Sequence, residues 1–288
     1  MTVRHTTALK AKLAERRALL VPGVPNALTA LIAADLGYEA VYVTGAGVTN
    51  MNLGMPDLGL ITLSELATPV RAIREMTALP IIVDADTGFG NAVNVHRTVK
   101  LLEHAGASAI QLEDQVFPKK CGHFAGKEVI PLEEMLPKIR AAVDARSDPD
   151  LLIIARTDAR AVVGIDAALE RAAAFVEAGA DVTFVEAPES VAEMRAIPQH
   201  LKVPQLANLV VGGKTPVLPQ AELKAMGFAV ALYANVALQS AVKAMQTVLG
   251  ALLRDGDLGA VHQQVATFTE RQRLVQKPFF DALEEKYR

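Results

Sequence analysis

The sequence predicts an α/β fold, a (β/α)8 barrel of the TIM type followed by extra C-terminal helices. Eight short apolar runs with strand character recur along the chain, and helix-like stretches separate most of them. Short strands that are apolar on both faces and joined by helices are typical of a parallel sheet. Eight such strands within about 240 residues favour a closed barrel. A doubly wound open sheet remains the alternative, because the number of strands alone does not close a barrel.

The elements follow one another in a regular order. The predicted strands lie at 18–22, 40–44, 80–84, 108–113, 151–156, 182–186, 204–208 and 229–233. The predicted helical segments include 64–77, 93–105, 132–146, 166–178 and 219–226. Four helix-to-strand connections pass through a glycine, which adopts the left-handed conformation at a helix C-terminus at little cost. These glycines are Gly37, Gly106, Gly179 and Gly227.

The two ends of the chain are also predicted to be helical. The first 20 residues alternate charged with apolar side chains, which predicts an amphipathic helix and neither a signal peptide nor a transit sequence. Residues 236–288 exceed what the last barrel helix needs, so they are predicted to form a C-terminal helical tail. No linker or second domain is apparent, and residues 1–288 are predicted to form one barrel domain.

Composition excludes several classes of function. The chain has 288 residues, 51% of them hydrophobic and 21% charged, which indicates a sizeable core and argues against disorder. A net charge of -3 gives no electrostatic reason to bind nucleic acid or an anionic membrane. The single Cys121 excludes an internal disulfide and favours a cytoplasmic location. The apolar tract 228–253 contains several polar residues, so we do not expect it to span a bilayer.

Polar residues stand at or just past most of the predicted strand ends, where barrel enzymes build their active sites. They are Thr44 and Gly45, Asp84 and Asp86, Glu113, Arg156 and Asp158, Glu186, Asn208, and Tyr233. Asp84 and Asp86 are two residues apart, so on a strand they would face the same side. With Glu113 they form a set of carboxylates suited to a hard ion such as Mg²⁺, although acids of this kind also cap helices or pair with arginine.

The segment KKCGH at 119–123 combines cations, a thiol and an imidazole in one loop. Neighbouring cations should lower the pKa of the Cys121 thiol and favour proton transfer or nucleophilic chemistry. A buried structural cysteine is the alternative. Gly122 and Gly126 would let this loop move as a closing gate. Arg156 is suited to bind a carboxylate through two hydrogen bonds, or equally to form a structural salt bridge with Asp158 or Glu186.

These motifs together resemble the isocitrate lyase and phosphoenolpyruvate mutase superfamily over essentially the full chain. The matching segments are YVTGAG (42–47), LGMPDLG (53–59), DADTGFGN (84–91), IQLEDQVFPKKCGH (110–123), IIARTDA (153–159) and NLVVGGKTP (208–216). The KKCGH loop is similar to that of the lyase branch. The resemblance implies an α/β barrel, a magnesium ion (with manganese as a substitute), and a homotetramer with swapped C-terminal helices.

The resemblance also implies roles for individual residues. The metal environment would comprise Asp57, Asp84, Asp86 and Glu113, with Asp84 and Asp86 nearest the ion. The substrate would contact Thr44, Gly45, Ala46, Gly122, Arg156, Glu186, Asn208 and Thr215. The catalytic residues would be Tyr42 as the base for the substrate hydroxyl, Cys121 as the acid that protonates the carbanion product, and His123 and Lys119 as supports of the gate. Thr44 and Ala46 depart mildly from the Ser-Gly-Gly that is frequent in the family.

The implied reaction is cleavage of a carbon–carbon bond in a 2-hydroxy di- or tricarboxylate, which releases a 2-oxo acid such as pyruvate. The 2-methylisocitrate lyases usually have NITEFG where this chain has residues 208–213, and an arginine at the position of Gln239. These departures favour a smaller alkylmalate, such as 2,3-dimethylmalate. Oxaloacetate hydrolysis or decarboxylation is the second alternative, although the serine used by such hydrolases is absent near Ala234. A catalytically silent metabolite-binding barrel is the third.

Overall fold

Eight parallel strands form the centre of the computed structural model, which describes residues 3–122 and 126–288. The strands are β1 (Leu19–Val24), β2 (Val41–Val43), β3 (Ile81–Asp84), β4 (Ala109–Glu113), β5 (Leu152–Thr157), β6 (Val182–Val185), β7 (Leu206–Asn208) and β8 (Val230–Tyr233). All eight predicted strands are therefore confirmed, with small differences at their ends.

The sheet curls into a nearly closed barrel. The hydrogen-bonded order is β6-β5-β4-β3-β2-β1-β8-β7, and every pairing is parallel. The two outer strands of this order, β6 and β7, are joined by a parallel bridge between Thr183 and Gln205. The Thr183 hydroxyl donates a 2.6 Å hydrogen bond to Gln205 Oε1. This bridge confirms the (β/α)8 barrel and excludes the doubly wound open sheet.

Helices surround the barrel and follow most of its strands. They are α1 (His5–Ala14), α2 (Ala27–Asp35), α3 (Gly45–Val48), α4 (Leu63–Met76), α5 (Ala92–His104), α6 (Leu132–Ala145), α7 (Arg160–Val163), α8 (Ile165–Glu177), α9 (Val191–His200), α10 (Gln220–Met226), α11 (Val236–Asp255), α12 (Phe268–Leu274) and α13 (Lys277–Lys286). The five predicted helical segments correspond to α4, α5, α6, α8 and α10. All four predicted turn glycines have positive φ angles, from 87° at Gly37 to 108° at Gly179.

The N-terminal helix closes one end of the barrel. Leu9 and Leu13 of α1 are almost fully buried and belong to the same apolar cluster as inward-facing strand residues such as Ile82 and Ile154. The predicted N-terminal helix is thus confirmed. The opposite end, where the strands finish at their C-termini, is lined by polar side chains. The functional groups therefore gather at that end.

The C-terminal segment forms three helices, α11 to α13. Among the residues that the structure describes, α11 is the one helix long and apolar enough to cross a membrane by length and composition, and 6% of its apolar window is buried. Helices of soluble proteins can meet the same criterion, so the expectation that this tract does not span a bilayer stays a prediction. Large apolar side chains on α11, including Leu249 and Leu253, are exposed.

Candidate active site

One cavity at the C-terminal ends of the strands, here called the active-site cavity, collects most of the predicted site residues. It is lined by Tyr42, Thr44, Ala46, Asp57, Asp84, Lys119, Lys120, Cys121, Gly122, Arg156, Phe184, Glu186, Asn208, Leu232, Ala234 and Asn235. These residues come from the ends of six strands and the loops that follow them, as in other barrel enzymes. The sequence pattern of polar strand ends thus locates this cavity.

Asp84 and Asp86 approach each other at the end of β3, but not for the predicted reason. Asp84 is the last residue of the strand, whereas Asp86 lies beyond it in a turn with a φ of +47°. The two side chains converge because the chain bends, and not because they alternate along one strand. A Cβ atom placed on Gly45 would lie 3.0 Å from Asp86 Oδ1 and 3.4 Å from Asp84 Oδ2. Both carboxylates therefore face the same small space.

Hydrogen bonds fix the orientation of Asp84. Its Oδ1 accepts from the Asp86 amide at 3.2 Å and from Gln111 Nε2 at 3.1 Å. Its Oδ2 accepts from the Gly45 amide at 3.3 Å. Glu113, at the end of β4, is buried beside these acids, and its Oε1 has no hydrogen-bond partner within the described residues. Glu113 Oε2 lies 3.4 Å from Arg156 Nε.

The Lys119 ammonium lies among the acids. It contacts Asp57 Oδ1, and its Nζ is 2.9 Å from Asp86 Oδ1. Burial alone would lower the pKa of Lys119, but the carboxylates of Asp86, Glu113, Asp57 and Asp84 raise that pKa well above its ordinary value. Lys119 therefore stays protonated and neutralises only part of this negative cluster.

The raised pKa values of Asp86 and Glu113 show that the cluster around Lys119 carries more negative than positive charge. Burial, together with the charges of Asp84 and Asp57, raises the pKa of Asp86 to about 7 against the opposing effect of Lys119. Burial also raises the pKa of Glu113 well above its usual range. Oxygen-rich, buried and incompletely neutralised groups of this kind fit a divalent cation such as Mg²⁺.

The predicted metal environment of Asp57, Asp84, Asp86 and Glu113, filled partly through water, stays a prediction. Within residues 3–122 and 126–288, no three Asp, Glu, His or Cys side chains lie close enough together to hold one metal. Lys119 occupies the space between Asp57 and Asp86, and Glu113 is turned toward Arg156. Asp84 and Asp86 face the same small space beside Gly45, whereas Asp57 contacts Lys119 and Glu113 lies near Arg156.

Arg156 is held at the cavity wall by acids. Its Nε and Nη2 donate to the two carboxylate oxygens of Asp158 at 2.9 and 3.0 Å. Its Nη1 lies 3.7 Å from Glu186 Oε2, and its guanidinium stacks 5.1 Å from the Phe184 ring centroid. Burial alone would raise the pKa of Asp158. The positive charges of Arg156 and Lys127 outweigh burial and lower that pKa to about 2. Arg156 therefore makes the structural salt bridge while its side chain still lines the cavity.

The loop 119–122, here called the cysteine loop, covers the cavity. A Cβ atom on Gly122 would come within 2.5 Å of Arg156 Nη2 and 2.6 Å of Glu186 Oε1, so only glycine fits there without a shift. The free volume left in the cavity is about 30 Å³, comparable to the share of one liquid water. A di- or tricarboxylate needs more room than this space offers. His123, the predicted support of this loop, lies outside the described residues.

Tyr42 is fully buried and donates its hydroxyl to Gln111 Oε1 at 2.7 Å. Burial and the nearby Asp84 charge raise the pKa of Tyr42 well above its ordinary value. These observations favour a neutral hydrogen-bond donor over the base that the resemblance implies.

The remaining predicted substrate contacts differ in position. Thr44 and Ala46 line the cavity, and Thr44 Oγ1 also caps α3 by accepting from the Gly47 amide at 3.4 Å. Asn208 donates to both oxygens of Glu186 at 3.5 Å. Thr215 is buried but is not among the residues that line the cavity, so direct substrate contact by Thr215 is not seen in this conformation.

Sequence reasoning missed two residues. Asn235 lines the cavity after β8, whereas Tyr233 does not, because side chains alternate along a strand and Leu232 and Ala234 face inward. Lys127 is buried and donates to Gly122 O at 2.5 Å and to Asp158 Oδ1 at 2.6 Å. The position of Asn235 just past a strand end was a usable signal. For Lys127 there was none, because its partners are distant in sequence.

The fold and this cavity define a barrel enzyme whose charged site lies at the C-terminal strand ends. Comparisons with known proteins agree. Residues 9–253 match the phosphoenolpyruvate phosphomutase family. The 2,3-dimethylmalate lyase of Eubacterium barkeri is 48% identical over 263 residues, covering 91% of each chain. The 2-methylisocitrate lyase of Escherichia coli (strain K12) is 43% identical over 280 residues, covering 97% of this chain and 94% of that one.

Solved structures of other enzymes are also similar to this chain in fold. A crystal structure of 2,3-dimethylmalate lyase superposes with a TM-score of 0.93 and 34% identity, covering 100% of this chain and 96% of that one. A phosphonopyruvate hydrolase complexed with oxalate and Mg²⁺ superposes with a TM-score of 0.89 and 32% identity, covering 99% of both chains. The chain belongs to the phosphoenolpyruvate mutase and isocitrate lyase superfamily, which confirms the resemblance in its motifs. It is a carbon–carbon lyase.

Proposed function

We propose that the protein is a Mg²⁺-dependent lyase that cleaves a 2-hydroxy di- or tricarboxylate into a 2-oxo acid, such as pyruvate, and a second carboxylate. The observation that carries the proposal is the cavity that brings Asp84, the Arg156 guanidinium and Cys121 together, with the Asp86 carboxylate beside Asp84 next to Gly45. Two relatives of the same length carry the names of lyases acting on such acids, which supports this substrate class.

In this proposal Asp84 and Asp86 would hold the metal ion, with Asp57 and Glu113 completing its acidic surroundings. When bound, Mg²⁺ offsets the negative charge of the buried acids and lowers the pKa of the substrate hydroxyl. Mn²⁺ would fit the same oxygen ligands. The Gly45 amide and Thr44 orient the 2-oxo acid half, and Arg156 with Asn208 binds the carboxylate of the other half. Thr215 completes the polar surroundings once the cysteine loop moves.

The chain's own groups move the protons. The substrate hydroxyl gives its proton to Glu113, a buried carboxylate whose Oε1 has no hydrogen-bond partner within the described residues and whose pKa is raised by burial. The carbon–carbon bond breaks as the alkoxide becomes the ketone of the 2-oxo acid. The bonding electron pair stays on the other fragment, next to its carboxylate, where the cations Lys119 and Arg156 stabilise the charge. Cys121 then donates its thiol proton to that carbon. Tyr42 serves as a hydrogen-bond donor to the reacting oxygen, since its raised pKa disfavours a phenolate.

The cysteine loop serves as a gate, with His123 and Lys119 as its supports. The space of about 30 Å³ under the loop supports this role, because substrate must displace the loop and the closed loop then excludes water.

Among substrates we favour an alkylmalate such as 2,3-dimethylmalate over 2-methylisocitrate. Gln239 donates a long hydrogen bond of 3.4 Å to Val211 O, so it borders the segment after β7. An arginine there would suit a third carboxylate, and the neutral amide does not. Oxaloacetate cleavage is the second candidate, but Ala234 on the cavity wall has no hydroxyl to offer that reaction.

We further propose a cytoplasmic homotetramer of single-domain subunits in which residues 236–288 pack on neighbouring copies. The exposed apolar side chains of α11 support this arrangement, because a water-exposed face of that kind is costly. The partner we expect is the small carboxylate substrate, and neither nucleic acid nor a membrane, because the net charge of -3 gives no electrostatic reason to bind an anionic polymer or surface.

The deciding experiment measures pyruvate release, coupled to lactate dehydrogenase, from 2,3-dimethylmalate, 2-methylisocitrate and oxaloacetate, with Mg²⁺ or with EDTA. An enzyme-free blank and a separate oxalate assay control for spontaneous decay of oxaloacetate. Mg²⁺-dependent pyruvate from one of the first two acids, lowered about 10²- to 10⁴-fold in Cys121→Ser, is the expected result. Consumption of oxaloacetate alone would support the second candidate. Activity that survives both EDTA and Cys121→Ser would refute the mechanism.

A further inference from the structure

A second cavity, here called the side cavity, lies outside the active site between the loops that precede α4, α5 and α6. Its volume is about 590 Å³, within the range typical of small-molecule sites. It is lined by Gly59, Leu60, Ile61, Thr62, Leu63, Thr87, Phe89, Gly90, Asn91, Gln115, Phe117, Ile130, Glu134 and Lys138. The lining is mostly apolar, which suits a ligand with a hydrocarbon body.

Lys138 gives the side cavity a buried positive charge. The residue is only 5% exposed, and it forms no hydrogen bond and no ion pair within 4.0 Å with any residue in the described part of the chain. Burial lowers the pKa of its ammonium group, while the more distant charges of Glu134, Asp114 and Glu113 act in the opposite direction. Its helical neighbour Glu134 also lines the cavity but is exposed. A buried, unpaired ammonium beside a cavity is placed to receive an anion.

Three helices direct their N-termini toward the same space. Thr62 is the N-cap of α4 and Asn91 that of α5, and Ile130 immediately precedes the N-cap of α6. Each helix has 13 or 14 residues, so each carries a full macrodipole with its positive end here. Pro131 supplies no side-chain cap to α6. We propose that the side cavity binds a small organic monocarboxylate, with its charge on Lys138 and its apolar body against Leu60, Phe89 and Phe117.

The side cavity also touches the cysteine loop. Gln115, on the cavity wall, accepts from the Lys120 amide at 2.9 Å and donates to Lys120 O at 2.8 Å. Gly59, on the same wall, packs so closely that an added Cβ would lie 3.2 Å from the Phe117 ring and 3.5 Å from the Lys119 amide nitrogen. A ligand that fills the side cavity therefore holds the loop from behind. The site is regulatory, and it is separate from the substrate site.

The test is calorimetric titration of the intact protein with hexanoate, in the presence of saturating oxalate to occupy the active-site cavity. We expect binding to the wild type, at least tenfold weaker binding to Lys138→Met, and no loss in Lys224→Met, whose lysine is exposed on α10. Hexan-1-ol, which lacks the charge, should bind at least tenfold more weakly than hexanoate. Should Lys138→Met not fold by circular dichroism, Lys138→Gln replaces it.

A second readout follows the loop. Hexanoate should slow trypsin cleavage after Lys119 and Lys120 in the wild type but not in Lys138→Met. No heat up to about 10 mM hexanoate, equal binding by Lys138→Met, or equal binding of hexan-1-ol would each overturn the proposal. None of these measurements uses catalytic activity, so their outcome is independent of the proposed function.

Discussion

Asp86 illustrates how burial of a single acid among other acids costs stability. Its carboxylate is buried beside Asp84 and Asp57, and Lys119 offsets only part of the repulsion. A side chain in such surroundings favours its protonated form when no cation is bound. A divalent ion at this position would therefore bind and stabilise the fold through the same interactions.

We expect the metal-free protein to become more stable as the pH falls from 7 to 5. The pKa of Asp86 is about 7 when folded and near 3.8 when unfolded, so the folded state binds the extra proton between these values. Stability is thus gained as the pH falls through 7 and is complete near 4. Thermal unfolding in EDTA at several pH values measures this.

Asp86→Asn should flatten that dependence, while Asp35→Asn, at an exposed site, should leave it unchanged. Added Mg²⁺ should raise the unfolding temperature of the wild type more than that of Asp86→Asn. Parallel pH profiles for wild type and Asp86→Asn would contradict this account of the site.

Tyr42→Phe distinguishes a hydrogen-bond donor from a general base. If Tyr42 donates a hydrogen bond, removing its hydroxyl should lower kcat/KM about tenfold, close to the value of one hydrogen bond. A loss of about 10³-fold or more would restore Tyr42 as the base. Steady-state kinetics settles this, with Tyr233→Phe, a tyrosine outside the cavity, as the matched control.

At the scale of elements, Lys127 joins the cysteine loop to the end of β5. It donates to Gly122 O and to Asp158, and Asp158 in turn holds Arg156. Asp114 holds the backbone at Asp158 in place. Its carboxylate accepts a hydrogen bond from the Asp158 amide at 2.9 Å and another from the Thr157 hydroxyl at 2.7 Å. The closed position of the loop and the position of Arg156 thus depend on one buried pair.

Removing Lys127 alone should lower the free energy of unfolding more than removing the charges of both Lys127 and Asp158. Lys127→Met leaves the buried Asp158 carboxylate undercompensated, which should lower the free energy of unfolding by about 3–5 kcal/mol. The double variant Lys127→Met/Asp158→Asn should recover part of that loss, and Lys224→Met should cost almost nothing. Urea denaturation gives all three values. A double variant no more stable than Lys127→Met would contradict the pairing.

The elements themselves could be read from the sequence, because short apolar runs and glycine at helix C-termini are local signals. The convergence of Asp84 with Asp86 was also predicted, although its cause is the positive φ of Asp86 and not strand alternation. Asn235 and Lys127 escaped prediction. Asn235 stands just past a strand end, which was a usable local signal, whereas Lys127 depends on contacts with Gly122 and Asp158 that no local pattern records.

At the scale of the whole molecule, the C-terminal helices leave apolar surface uncovered. Leu249 is 59% exposed and Leu253 is 90% exposed, both on α11. A helix of such composition is stable in water when its apolar face packs against another surface. A second copy of the chain is the surface we expect.

Leu249→Asp/Leu253→Asp should therefore dissociate the oligomer. Charged side chains at a buried interface cost several kcal/mol, enough to shift the assembly to smaller species. Size-exclusion chromatography with light scattering measures the mass. Val93→Asp, which adds the same charge at an exposed valine of α5, is the control and should keep the native mass. A monomeric wild type would refute the tetramer.

The sequence by itself determined the barrel, its strands, the polar strand ends and the family, because each of these is written in local periodicity or in short motifs. Only the tertiary structure decided which acids meet, that Lys119 lies among them, that Tyr42 is a buried donor, and that Lys138 borders a separate cavity. The physical reason is that burial and charge at a site are sums over residues from many elements. Those sums exist only once the chain has brought the elements together.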